Sequence, residues 1–224
     1  IPAERQHVSD FGRMTSFDTT LVRVETESGL VGYGEAKAAV GSQGNCASLV
    51  ALIERELAPF LIGEDSGAIP RIWDICYNGS RAHYAIDRGH SFPVMGRRGL
   101  TTAALGGIDI ALWDILGKSL DRPVHQLLGG KRKDRMPAYA SGGWKPASEV
   151  GAELQSFIDR GNFKAVKMRV GSQDGTVAHS IERVKAARDA LGPDIDIMVD
   201  AHGTYGVAEA KRFARGVRDC DVAW

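Results

Sequence analysis

Two pairs of ionisable residues stand at the ends of apolar runs. The run 195–199 ends in Asp200 and, two positions on, His202. Upstream, Lys167 and Arg169 are spaced the same way in Lys164-Ala-Val-Lys-Met-Arg-Val-Gly171. Side chains at i and i+2 of a strand point to one face, so each pair is expected to emerge together from a strand end. Asp200 offers a hard oxygen of the kind magnesium takes. His202 brings the one side chain type suited to giving or taking a proton near neutral pH. Lys167 can hold a carboxylate or act as a base. An arginine guanidinium keeps its proton, so Arg169 can clamp a carboxylate or steady an oxyanion but makes a poor general base. A metal ligand, two cations and a histidine at one sheet edge suit proton abstraction next to a carboxylate, through an enediolate whose charge the cations neutralise. A lone Asp at a strand end is most often a cap or turn former. The recurrence of the pair on two successive runs is what favours chemistry.

Composition narrows the partners. Lys plus Arg equals Asp plus Glu at 28 each in 224 residues, a formal charge of zero. Nucleic acid and anionic membrane surfaces usually select a basic face, so neither is expected as a partner. Cys46, Cys76 and Cys220 have no paired or metal-type spacing, which fits reduced thiols and a cytoplasmic location. No apolar run is judged to approach the roughly 20 residues of a membrane helix. Ile1 is not an initiator, and the natural start is expected elsewhere.

The elements that must position these groups fall into two regions. Residues 1–16 read as an irregular loop. Alternating residues predict strands over 19–27 and 30–35, joined at Ser28-Gly29 as a hairpin. After a small-residue loop over 36–45, helical spacing predicts one helix over 46–61, ended by Gly63, and a second after Pro70 with Ile72, Trp73, Ile75 and Cys76 on its apolar side. Residues 81–93 read as a loop carrying His83, Tyr84, Arg88 and His90. The strongest helix spans 100–118, with Gly117 loosening its end, and Pro123 opens a short helix stopped by Gly129-Gly130. Trp73, Trp113 and the Leu/Ile stripes are assigned to the core. A domain boundary is placed at 134/135. Beyond it, strands over 136–140, 164–170 and 195–202 alternate with helices over 147–160 (closed by Gly161), 176–191 and 207–217, and a fourth strand begins at 221. Repeated βα units imply a parallel sheet with right-handed crossovers. About half of an eight-fold barrel is present, so the natural protein is expected to continue past Trp224.

The segment Gly107-Ile-Asp-Ile-Ala-Leu-Trp-Asp-Ile-Leu-Gly-Lys118, with Pro123-Val-His-Gln-Leu-Leu-Gly-Gly130 after it, resembles the junction helix of the enolase superfamily, mandelate racemase-type branch. Gly32-Tyr-Gly-Glu35 resembles the end of that family's capping-domain hairpin, and Gly96-Arg-Arg-Gly99 the lead-in to the junction helix. Lys167-Met-Arg169 falls where the family has a Lys-x-Lys motif, and Asp200-Ala-His202 where it has its first metal ligand followed by a variable polar residue. The resemblance covers nearly the whole chain. It implies an α/β fold class: an α+β capping domain over 1–134, then the first βα units of a (β/α) TIM-type barrel, truncated, over 135–224.

The resemblance implies further that Asp200 binds Mg2+ and that Lys167 is an electrophilic or substrate-orienting cation. Arg169 departs from the lysine that serves as base in racemase-type members. His202 resembles the Asp-x-His arrangement of sugar-acid dehydratases, where the histidine protonates the departing hydroxyl. The base and the remaining acidic metal ligands are expected on later strands. The implied function is a Mg2+-dependent dehydratase of an aldonic or aldaric acid, a lyase giving a 2-keto-3-deoxy acid from a small-molecule carboxylate substrate. Alternatives are a racemase, epimerase or cycloisomerase of the same superfamily, and a non-catalytic fragment or interaction module. Capping-domain loops set specificity in such enzymes, which points to His7, Arg13 and Lys37 (with Arg5) as substrate contacts and to the 81–93 loop as a weaker candidate. A homo-oligomer formed through the capping domain is the implied assembly.

Overall fold

A computed structural model describes residues 18–37, 46–78 and 99–224, with the backbone of two-residue strands Val8–Ser9 (β1) and Gly12–Arg13 (β2). Arg13–Arg132 lie in one compact unit and Lys133–Trp224 in another, which also takes in Ser9–Gly12.

The first unit is built on two strands and a long helix. Strands Thr20–Glu25 (β3) and Val31–Ala36 (β4) pair antiparallel from Thr20 opposite Ala36 to Glu25 opposite Val31. Gly29 takes the positive φ (82°) that the turn between them needs. Leu100–Ser119 (α3) lies against β4, and the reason is backbone size. A Cβ on Gly34 would overlap the Gly107 carbonyl oxygen, and one on Gly32 would overlap the Ala111 carbonyl. The alternate glycines of Gly32-Tyr-Gly34 therefore admit the Gly107/Ala111 side of α3 to near contact. Asp114 closes the junction by accepting from the Tyr33 amide at 2.9 Å and from Lys118 Nζ at 2.7 Å. Val22, Leu49, Leu57, Ile72, Leu105, Ile108 and Leu112 form the core beneath. The Gly34→Val protein is expected to lose upwards of about 3 kcal/mol, because overpacking costs of about 1–3 kcal/mol rise where the obstacle is backbone. That is a fall in unfolding midpoint of roughly 6–12 °C. An unchanged midpoint would contradict the close packing.

Four expectations for this unit need correction. The helix expected over 46–61 is α-helical only over Cys46–Leu52 (α1), followed by a π turn, Ile53–Leu57, and a 3₁₀ turn, Ala58–Phe60. Pro59 has no N–H and its ring would crowd the carbonyl four residues back, so the last turns widen and then tighten. In Ile69–Asn78 (α2), Ile69, Ile72, Ile75 and Cys76 are buried but Trp73 is 40% exposed. It sits one step round from that row and stacks on Tyr77, centroids 4.6 Å apart. Trp113 is partly buried, packed against the core. Gly117 does not loosen α3. The helix continues to Ser119, and Gly117 makes room for the Arg122 carbonyl, its own carbonyl accepting the Arg122 amide at 2.9 Å. Finally, α3 is long and apolar enough to cross a membrane by length and composition, contrary to the reading of the bare sequence. Its apolar character is accounted for by the stripe it buries in this unit's core. A short helix, Val124–Leu127 (α4), follows Pro123 and ends before Gly129 and Gly130, both at positive φ.

The second unit is a parallel sheet in the order β5-β6-β7, from Ala140–Gly142, Ala165–Arg169 and Asp196–Asp200. Helices Ala147–Gly161 (α5), Val177–Leu191 (α6) and Val207–Gly216 (α7) alternate with the strands. Past α7, Val222 bridges Ile197 in parallel, and Val199 N donates to Trp224 O at 2.8 Å. One sheet face packs into a core of Val166, Met168, Val170, Ile197, Leu154, Val184 and Phe213. The other face carries Lys167, Arg169 and Asp200. The strand expected over 136–140 begins at Ala140 instead, with Met136 73% exposed. Ala140-Ser141-Gly142 lacks β-formers, and it is a strand because β6 pairs with it and because Gly142 leaves room for the Phe157 ring. Helix α5 keeps Gly161 as its last residue, and Asn162 (φ 50°) makes the left-handed exit.

Candidate functional site

Register places the charged groups side by side. Lys167 pairs with Met198 and Arg169 with Asp200 across β6 and β7. Lys167 Nζ donates to Asp200 Oδ2 at 3.0 Å, and Arg169 Nη1 lies 3.3 Å from Asp200 Oδ1. All three side chains are partly buried, at 21%, 16% and 28% exposure in the order Lys167, Arg169, Asp200. Burial pushes the Asp200 carboxyl upward. The Lys167 ammonium, the His202 amide and the Arg169 guanidinium outweigh it and hold the group below the usual carboxylate range. Asp200 is therefore an anion locked between two cations at the C-terminal end of the sheet.

Arg169 is fixed from behind. Its guanidinium lies 5.2 Å from the Trp144 ring centroid, a cation–π arrangement. Its Nη1 is shut from solvent, and its 3.3 Å ion pair with Asp200 Oδ1 lacks the alignment of a hydrogen bond. A buried N–H without a well-aligned hydrogen bond is costly, so this edge of Arg169 is suited to a further acceptor such as a substrate carboxylate oxygen.

His202 is where the strand expectation fails. Strand β7 ends at Asp200, and His202 has φ 50° in a turn with Gly203 at φ 70°. Thr204 N donates to Ala201 O at 3.0 Å across this turn, and His202 N donates to Asp200 Oδ1 at 2.8 Å. Asp200 thus caps the chain reversal, and His202 reaches the strand end through a left-handed turn, not the pleat. Its side chain is exposed. The His-Gly step was the signal available in the sequence.

Of the expected substrate contacts, Lys37 and the backbone of Arg13 are described, both in the first unit. Lys37 follows β4 and is partly buried. Arg13 is described by its backbone alone, in β2. His7, Arg5 and the loops 38–45 and 81–93 lie outside the described residues. Sequence reasoning overlooked Trp144 and Arg183. Trp144 follows Gly142-Gly143 straight off a strand end. Arg183 occupies a core position in the Ser180, Val184, Ala187, Leu191 stripe of α6, where a charge is unusual.

The geometry matches a known family. Residues 3–129 match the model for the mandelate racemase / muconate lactonizing enzyme N-terminal domain, and residues 149–224 match the enolase C-terminal domain-like model. The chain belongs to the mandelate racemase/muconate lactonizing enzyme branch of the enolase superfamily. Its fold is the one that branch implies: an α+β unit followed by the first βα units of a (β/α) barrel. An arabinonate dehydratase of Saccharolobus solfataricus is 34% identical over 196 residues, 86% of this chain and 47% of the relative. A D-galactarolactone cycloisomerase of Agrobacterium fabrum is 32% identical over 94% of this chain and 53% of its own length. The crystal structure of a racemase from Streptomyces coelicolor A3(2) with bound magnesium superposes at a TM-score of 0.78, with 31% identity, over all of this chain and 58% of that one. The chain spans about half the length of the curated relatives it matches.

Proposed function

We propose that the full-length protein is a Mg2+-dependent dehydratase of an aldonic or aldaric acid. The observation that carries this reading is the Lys167–Asp200–Arg169 cluster, in which a solvent-shielded Arg169 Nη1 is ion-paired with Asp200 without a hydrogen bond of good geometry. The similarity to an arabinonate dehydratase supports the choice of reaction.

Asp200 fits magnesium as one ligand: it is a hard oxygen donor kept anionic by its neighbours. Among the described residues, no three His, Cys, Asp or Glu side chains gather to complete a site. When bound, the ion would help neutralise the negative charge that develops on the substrate. Lys167 and Arg169 hold and orient the substrate carboxylate. The α-proton leaves to a base outside this cluster, since Arg169 does not give up its own. His202, in the exposed turn at the strand tip, protonates the β-hydroxyl as its C–O bond breaks. The resulting enol becomes a 2-keto-3-deoxy acid. A homo-oligomeric, cytoplasmic enzyme is part of the same reading.

Incubating the full-length protein and Mg2+ with a panel of aldonic and aldaric acids is expected to give 2-keto-3-deoxy products. Intact Mg2+ binding with no product across the panel would overturn the reading. Deuterium at the α-carbon without loss of water would instead favour an epimerase, and lactone isomerisation the activity named for the Agrobacterium relative.

A further inference from the structure

Helix α6 carries two arginines that act at opposite ends of the sheet. Arg188 donates to the carbonyls of Gly192 (2.6 Å), Ile195 (2.7 Å), Cys220 (2.8 Å) and Asp221 (3.1 Å). These acceptors lie just before β7 and before the segment that bridges it, at the sheet's N-terminal edge. Arg183 works at the other edge. It is 5% exposed and donates to Gly143 O (2.6 Å), Lys145 O (2.8 Å) and Arg169 O (2.8 Å). It also pairs with Asp174 Oδ1 at 2.7 Å. Its acceptors are the chain leaving β5 and β6 where Trp144 and Arg169 stand.

The network continues from there. Asp174 Oδ2 accepts from Ser180 Oγ (2.5 Å) and from the Gly171 amide (3.2 Å). Ser172 N donates to Thr204 Oγ1 (3.1 Å), whose hydroxyl donates to Ala201 O (2.7 Å). Gly171 lacks a side chain because a Cβ there would overlap that same Thr204 hydroxyl. A connected set of contacts thus links the Trp144 loop, the Arg169 carbonyl and the turn that holds His202. Only a planar fork of five donors serves four acceptors in these directions, and a lysine ammonium does not.

We propose that Arg183 is a positioning residue for the acid/base face, fixing Arg169 and Trp144 through their backbone and His202 through Asp174 and Thr204. The proposal rests on the catalytic reading of that face, so its test carries a readout independent of turnover. The amides of Ser172 and His202 are held by Thr204 and by Asp200, and their hydrogen exchange reports whether those partners stay in place. In the full-length protein, Arg183→Lys is expected to speed exchange at both amides by at least about tenfold and to lower kcat by about 10–100-fold, with KM less affected. Arg188→Lys serves as the control: it is expected to lower the unfolding midpoint and leave those amides and kcat near the wild-type values. Unchanged exchange in Arg183→Lys, equal acceleration in Arg188→Lys, or faster exchange with wild-type kcat would each overturn the proposal. Should the wild-type protein turn over no acid sugar, the functional reading fails and the exchange arm alone decides the positioning. Ser180→Ala, which removes one strut from Asp174, carries the test with the same direction and a smaller effect if Arg183→Lys does not fold.

Discussion

Asp200→Asn in the full-length protein is expected to lower kcat for its acid substrate by at least about 10³-fold. The amide is nearly isosteric and still accepts the His202 N–H, so the turn is kept. What is lost is the anion between Lys167 at 3.0 Å and Arg169 at 3.3 Å, and with it the negative charge of the oxygen donor proposed for magnesium. Two cations are left facing one another. The same change has a pH signature in the metal-free protein. The folded state holds the Asp200 carboxyl below its ordinary value. A depressed carboxylate contributes stability that is full above the unfolded-state pKa, about 3.9, and is lost as pH falls through the lower native value. The stability gap between wild type and Asp200→Asn is therefore expected at neutral pH and should close under acid. Turnover within tenfold of wild type, or a gap that widens in acid, would contradict the role given to Asp200.

The second large effect belongs to His202. His202→Asn is expected to slow water elimination by about 10²–10⁴-fold, the usual worth of a general acid. Asparagine tolerates the left-handed backbone that His202 adopts at φ 50°, so the substitution should leave the turn intact. Because the α-proton is proposed to leave to another group, exchange of that proton with deuterated solvent should survive in His202→Asn. The two rates therefore separate in a proton NMR time course. Loss of exchange together with elimination would make His202 the base, and retention of both would leave it a turn residue.

The sheet that carries these groups was legible because its signal is local. Lys164 to Val170 and the run to Asp200 are apolar runs with alternate charges, and the register of β6 and β7 placed Arg169 beside Asp200. The hairpin and α3 were legible for the same reason. The misplacements have non-local causes. Strand β5 consists of Ala, Ser and Gly, and its place is set by the β6 backbone and by the Phe157 ring over Gly142. Strand β7 ends two residues short of the expected His202, because the Asp200 side chain competes for the His202 amide and ends the pleat. Arg183 gives no local signal, since two of its acceptors, the carbonyls of Gly143 and Arg169, stand forty and fourteen residues away in sequence. The glycines of Gly32-Tyr-Gly34 were recognised as a motif, yet their cause, the close approach of Gly107 and Ala111, became visible only with α3 in place.

The measurement that bears most directly on the central claim is calorimetric titration of Mg2+ into the metal-free full-length protein and its Asp200→Asn variant. An anion held between Lys167 and Arg169 as a metal ligand predicts saturable binding to the wild type, weakened at least about 100-fold by the substitution. Equal Mg2+ affinity for the two proteins would contradict it.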